Sequence, residues 1–333
     1  MSAEKIDKAA QMLRQTDCLV LLGGIGVRDP ALSLAGKLAG KTACKLMAEF
    51  NNARLERGAG RVDLPRVPYV VEQAIKVLAP YRHIILIGAK IPVAFFGYPD
   101  KPSILLNPQA SVLELASVDD DIVAALEDLV QACDASQAPL AQLAERDALG
   151  RIDGPLNPDS IAQVLSACIP EQGIVIDESV TTGRQFSATT RGALPHCWLN
   201  AMGGSIGFGM PNAIGAALAC PDRSVICLEG DGSAMYTEQS LWTMAREQLA
   251  ITVVIFANRS YAILRGEFNA VGAGSPGQRA TDMLSLDRPD LDWVSLARGH
   301  GLDAQRVTDA AAFQQALSRG IASRGPSLIE VWL

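Results

Sequence analysis

Apolar positions along this chain follow two patterns in alternation. Short unbroken runs, bounded by glycine or charge, are separated by longer stretches in which apolar residues recur every three or four positions. Cys18-Leu-Val-Leu-Leu22 and Ile84-Ile-Leu-Ile87 are unbroken runs and predict buried strands, with Ile104-Leu-Leu106 as a shorter one. Ile6 to Leu13, Pro30 to Leu38 and Val70 to Leu78 carry the helical spacing. Asp29 is placed to cap the second of these helices, with Pro30 at its first position. Asp119-Asp120-Asp121 opens a helix running to about Cys133, and three carboxylates suit a helix N-terminus better than a metal cluster.

A second alternating series follows. Its strands are Ile174-Val-Ile176, a run after His196, Val225-Ile-Cys-Leu228, Thr252-Val-Val-Ile-Phe256 and Leu328-Ile-Glu-Val-Trp332, with helices starting near Pro158, Pro211, Thr237 and Asp309. Unbroken apolar strands alternating with amphipathic helices imply parallel sheets covered on both faces. The predicted fold class is therefore α/β, with two doubly wound parallel-sheet domains. Residues 134–157 lack a clear period and end in Asp153-Gly-Pro-Leu-Asn-Pro158. They read as a linker between a domain at 1–133 and another at 158–333.

Composition narrows the function classes. With 333 residues, 49% of them hydrophobic, the chain can bury full cores, and disorder is excluded. A net charge of -7 and 5% aromatic residues argue against nucleic-acid binding. The longest uncharged apolar run, Cys18 to Val27, is about half a membrane span. The seven cysteines show no CxxC spacing, and the opening Met1-Ser-Ala-Glu-Lys5 leads into a charged helix rather than a secretory leader. Together these features point to a cytoplasmic protein with reduced thiols, and three histidines give little basis for a histidine metal site.

The strongest candidate for chemistry lies between Glu229 and Tyr261. A buried strand ends in Gly230-Asp231-Gly232-Ser233, where glycines allow a close backbone approach and following amides can meet a diphosphate. The neighbouring strand ends in Phe256-Ala257-Asn258-Arg259-Ser260 and brings an amide oxygen to the same edge. A carboxylate, an amide oxygen and a carbonyl make a partial shell for Mg²⁺ or Ca²⁺.

Gly230-Asp231-Gly232 followed by Asn258 resembles the diphosphate-binding motif of thiamine diphosphate enzymes. The segments Gly203-Gly-Ser-Ile-Gly-Phe-Gly-Met-Pro-Asn-Ala-Ile-Gly-Ala-Ala-Leu-Ala219, Asp177-Glu-Ser-Val-Thr-Thr182 and Leu286-Asp-Arg-Pro-Asp-Leu-Asp-Trp293 are similar to the acetolactate synthase and benzoylformate decarboxylase branch. The first domain, with Ala53-Arg-Leu-Glu-Arg-Gly-Ala-Gly60, resembles that family's central domain. The resemblance implies thiamine diphosphate and Mg²⁺ as cofactors. Asp231, the Asn258 side chain and the Ser260 carbonyl would bind the metal, with Gly230, Gly232 and Ser233 at the diphosphate. Ile206 would bend the cofactor, and Thr181 and Tyr261 would touch diphosphate or substrate. The implied reaction is decarboxylation and carboligation of 2-keto acids, pyruvate by default, in a homodimer or homotetramer.

Three departures stand out. The first of the family's two adjacent asparagines is Ala257 here. Leu264 stands where pyruvate decarboxylases resembling this chain have a carboxylate, which leaves aromatic or longer 2-keto acids as an alternative. The pyrimidine-binding domain, with its activating glutamate, has no counterpart in the sequence. It would come from a separate subunit, from a longer parent chain, or be replaced in a naturally short enzyme. In the last case Glu178 or His196 is the candidate catalytic residue, and a non-catalytic subunit is the remaining alternative. Gly23-Gly-Ile-Gly-Val-Arg28 suggests a nucleotide turn, but Asp29 fills its sixth position and no acidic residue was evident at the end of the next strand. A structural turn is expected, and FAD is left open without being predicted. His83 and His300 read as structural, the latter at a helix end.

Overall fold

The computed structural model describes residues 1–333. The chain divides into two compact units, Met1–Ala144 and Glu145–Leu333. The division falls inside the stretch read as a linker. Residues on either side of it are bonded into their own unit: the Gln142 side chain accepts from Leu46 N at 2.9 Å, and Asp147 N donates to Gly192 O at 3.0 Å.

In the first unit the elements run α1 (Ala3–Met12), β1 (Cys18–Leu22), α2 (Ala31–Thr42), β2 (Lys45–Ala48), β3 (Arg54–Arg57), α3 (Val71–Leu78), β4 (His83–Ile87), β5 (Ser111–Ala116) and α4 (Ile122–Ala132). Four of the strands form a parallel sheet in the order β2-β1-β4-β5. Its central strands β1 and β4 are almost wholly apolar because both faces are covered. Cys18, Val20 and Leu22 face a core shared with α1, α2 and α4, while Leu19 and Leu21 face one shared with α3.

The second unit contains α5 (Pro158–Cys168), β6 (Ile174–Glu178), α6 (Phe186–Thr189), β7 (His196–Asn200), α7 (Gly209–Ala219), β8 (Val225–Gly230), α8 (Asp231–Ala234), α9 (Ser240–Arg246) and β9 (Ile251–Ala257). It continues with α10 (Ala262–Ala270), α11 (Gln278–Met283), α12 (Trp293–Gly299), β10 (Asp303–Val307), α13 (Ala310–Ala322) and β11 (Ser327–Trp332). Its strands lie parallel in the order β10-β11-β9-β8-β6-β7. One face packs Val175, Ile226, Val254 and Ile329 against α5 and α13, and the other packs Ile176, Cys227, Val253 and Leu328 against α7, α9 and α12. Strand order reverses between β6 and β8, so a crevice is expected beyond their carboxyl ends.

Several local expectations need correction. Ile104–Leu106 is not a strand: Ile104 is exposed and makes only a single bridge to Val93. The edge strand beside β4 is Ser111–Ala116, whose mixed sequence SVLELA alternates because one side of an edge strand is partly open. Asp29 does not cap α2. Its carboxylate accepts the Ser33 hydroxyl, and Pro30 holds the cap position without a side-chain bond. Strands β2, β3 and β10 were not foreseen, and finding β2 changes the reading of the first glycine turn. Glu49 directly follows β2, so an acidic residue does end the strand next to that turn. Its carboxyl accepts Lys90 N at 3.1 Å and lies where a Cβ on Gly23 would be, 2.4 Å from Oε1. Gly23 is thus a close-approach glycine, and the turn is tightly closed on itself.

The aspartate run behaves as expected. Asp121 caps α4, accepting Ala124 N at 3.0 Å, and Asp120 accepts Ser117 N at 2.8 Å. No helix is long and apolar enough to cross a membrane. Replacing Asp121 with Ala should lower stability to chemical denaturation by about 1 kcal/mol. The loss should be equal in EDTA and in Mg²⁺; one that appears only with the metal would contradict the capping role.

Candidate functional site

Parallel neighbours end at the same edge of a sheet, so β6, β8 and β9 deliver their last residues to one place. Glu178 pairs in register with Glu229, and Gly230 with Phe256. Directly beyond β8, Asp231 begins the short helix α8 and is only 3% exposed. Its Oδ1 accepts Gly232 N at 2.9 Å, and its Oδ2 accepts Arg259 N at 2.6 Å. Arg259 sits in the left-handed region at φ 54°, which turns the chain sharply between Asn258 and Ser260. Asn258 Oδ1 accepts Ser260 N at 3.0 Å, closing an Asx turn.

The loop is also held from outside. The Arg259 guanidinium lies 4.8 Å from the Trp332 ring centroid and donates to Leu333 O at 3.2 Å. Arg306 lies over the same ring at 4.2 Å and bonds the fully buried Glu330 at 2.9 Å. The two strand-end segments, Gly230–Ser233 and Asn258–Ser260, are thereby fixed to one another. All of the ligands assigned by the resemblance are hard oxygens, and the carboxylate keeps lone pairs beyond its two amide bonds, so the donor set suits Mg²⁺. Burial pushes the Asp231 carboxyl up to about 6, although the amides of Arg259 and Gly232 favour its ionised form.

The other predicted site residues fall around this centre. Ser233 is buried in α8, and Thr181 is half-buried just past β6. A Cβ on Gly232 would lie 2.5 Å from Tyr261 Cε1, so the Tyr261 ring covers that glycine directly. Ile206 is 37% exposed, on the turn that leads into α7.

Neither catalytic candidate is turned toward this centre. His196 begins β7, where the next residue Cys197 is level with Ile174 at the start of β6. Glu178 lies four residues farther along β6, about 13 Å away at the opposite edge. His196 is buried, with Nδ1 on Leu194 O at 2.6 Å, and cannot serve the site. Glu178 is at the correct edge but its carboxylate faces the main chain: Oε1 accepts Gly207 N at 2.6 Å and Oε2 accepts Gly209 N at 2.7 Å. Glu229 lies against it, and its Oε1 accepts the Cys227 thiol at 3.4 Å. A Cβ on Gly209 would fall 2.0 Å from Glu229 Oε1, so only glycine allows this approach. His83 pairs with Asp17 at 3.7 Å, and His300 caps α12, bonding Glu238 at 2.7 Å.

Sequence reasoning missed Arg259, Thr237 and Glu229. Arg259 had no signal beyond its place between Asn258 and Ser260. Glu229 had one: an acidic residue closing an otherwise apolar strand is costly to bury unless something answers it.

Burial raises the carboxyl groups of Glu178 and Glu229, Glu229 well above the usual range, where the nearby Glu178 charge adds to the effect. A carboxyl raised in the folded state stabilises most at low pH, and its contribution fades as pH climbs through the folded value. The melting temperature of Glu229→Gln should therefore rise relative to wild type as pH increases from about 5 to about 9. A flat or falling difference would contradict the pairing.

The sequence profile described as "Thiamine pyrophosphate enzyme, C-terminal TPP binding domain" matches residues 181–331. Over 98% of its length this chain is 43% identical to a Mycobacterium tuberculosis protein bearing the name acetolactate synthase large subunit IlvX, and spans 63% of that protein. It is 34% identical to benzoylformate decarboxylase of Pseudomonas aeruginosa over 63% of the chain and 39% of that enzyme. A thiamine diphosphate-dependent 4-hydroxybenzoylformate decarboxylase from Rhodococcus jostii superposes with a TM-score of 0.77 at 25% identity, over 99% of this chain and 64% of its own. The segment that begins at Thr181 and carries Asp231, Asn258 and Ser260 thus matches the C-terminal TPP-binding domain of thiamine pyrophosphate enzymes.

Proposed function

We propose that this chain grips the diphosphate end of thiamine diphosphate through Mg²⁺, in an enzyme that decarboxylates a 2-keto acid and passes the acyl unit to a second carbonyl. The observation that carries this reading is the bond from Arg259 N to Asp231, which joins a buried carboxylate to the Asn258–Ser260 loop. Asp231, the Asn258 amide oxygen and the Ser260 carbonyl would hold the cation. Ser233 and the amides of Gly232 and Ser233 would meet diphosphate oxygens. Ile206 would offer an aliphatic surface to the cofactor rings, and Tyr261 would wall the site against water. When bound, the cofactor supplies the electron sink for loss of carbon dioxide.

The relatives named for acetolactate synthesis and benzoylformate decarboxylation support the 2-keto acid class, with pyruvate as the default donor. The chain spans less than two thirds of each relative's length. We place it in a homodimer or homotetramer, with the pyrimidine half of the site on a separate subunit, on a longer parent chain, or replaced within a short enzyme.

Calorimetric titration of the chain with thiamine diphosphate and Mg²⁺ should show metal-dependent binding. Asp231→Ala should weaken it by at least about a hundredfold, since even residues that only orient a ligand cost 10–100-fold. An unchanged affinity in Asp231→Ala would sink the assignment. A cation needs the ionised carboxylate, so with the Asp231 carboxyl at about 6 metal affinity should hold above that pH and fall as pH drops below it. The limiting slope is about tenfold per pH unit. For the donor, carbon dioxide release from pyruvate should exceed that from benzoylformate in the assembled enzyme. The reverse order would assign it to aromatic substrates.

A further inference from the structure

The turn carrying Ile206 has an unusual mount. Met202 to Ser205, which precede it, are exposed, and Gly203 and Gly204 take left-handed φ values of 72° and 75°. Nothing rigid therefore approaches Ile206 from its N-terminal side. On the C-terminal side the Gly207 and Gly209 amides and the Gly207 carbonyl are held. Gly207 N and Gly209 N donate to the two oxygens of Glu178 at 2.6 and 2.7 Å, and Thr237 Oγ1 donates to Gly207 O at 3.0 Å. Gly207 itself packs on Tyr236, whose Cβ would lie 2.7 Å from an added methyl. Glu178 is 3% exposed, and its partner Glu229 is 1% exposed.

Burying a carboxyl pair beneath a turn is a poor way to gain stability, because apolar residues of similar volume do as well or better. What the carboxylate provides is geometry: two fixed acceptors hold two amides on either side of Phe208 and leave the turn one position. Neither oxygen points toward a ligand, so Glu178 acts on whatever Ile206 meets.

We propose that Glu178 is a positioning residue. By fixing the Gly207–Gly209 turn it sets Ile206 against the ring half of the cofactor, and it leaves the diphosphate half to Asp231. This rests on the cofactor reading above and adds a division of labour within the site. Ring binding runs through the Glu178 mount on β6, and diphosphate binding through the Asp231 loop between β8 and β9.

Two ligands separate the halves: thiamine diphosphate and inorganic diphosphate, each titrated into the full chain with Mg²⁺. Glu178→Gln keeps the shape but replaces one acceptor with a donor facing an amide. It should bind inorganic diphosphate as wild type does and thiamine diphosphate about tenfold more weakly. Ile206→Ala should show the same selective loss, and the double variant should be no weaker than either single one. Thr237→Val releases the same turn without touching a carboxylate and should also lose affinity only for the ringed ligand; it decides alone if Glu178→Gln does not fold. Equal losses for both ligands, no loss in either variant, additive effects with Ile206→Ala, or a wild type that binds both ligands equally would overturn the proposal. A wild type that binds neither overturns the cofactor site itself, and this proposal with it.

Discussion

The site depends on one constraint: neighbouring parallel strands must end at the same edge. Residues near 178, 230 and 257 are far apart in sequence and become adjacent because β6, β8 and β9 pair in register. Helices cover both faces of the sheet, so the strand ends are where polar groups can gather. That is why a carboxylate such as Asp231 can be nearly buried yet answered by two backbone amides. Loops in this position have little apolar surface of their own. Their order comes from bonds like those of Arg259, which tie the Asn258–Ser260 turn to Asp231 on one side and to Trp332 and Leu333 on the other.

Much of the architecture was legible in the sequence. Buried parallel strands are unbroken apolar runs, so Cys18–Leu22 and Val225–Leu228 could be identified directly, and Asp121 and Asp309 mark helix starts, each accepting an amide of the first turn. The strands that escaped were edge strands. Ser111–Ala116 and Asp303–Val307 are half open, so their apolar positions thin out and resemble loops, whereas the compact run Ile104-Leu-Leu106 looked like a strand and lies in a connection.

The site was legible to a different depth. The Gly230–Ser233 and Asn258 motifs state which residue types stand at the strand ends, and the structure places them together. The direction of a side chain was not legible. Glu178 and His196 both looked chemically able, yet His196 lies at the far edge and Glu178 faces main-chain amides. Spacing gives a residue its place on a strand; only the neighbouring turn decides whether its carboxylate is open to a ligand.

Cys227 gives the acid pair a practical side. It is fully buried with its thiol on Glu229, and burial drives its ionisation well above the ordinary thiol range. Alkylating reagents act on the thiolate, so in the closed protein this sulfur is chemically silent. It becomes reactive only when β8 separates from the turn above it, which makes Cys227 a native clock for how often that turn lifts.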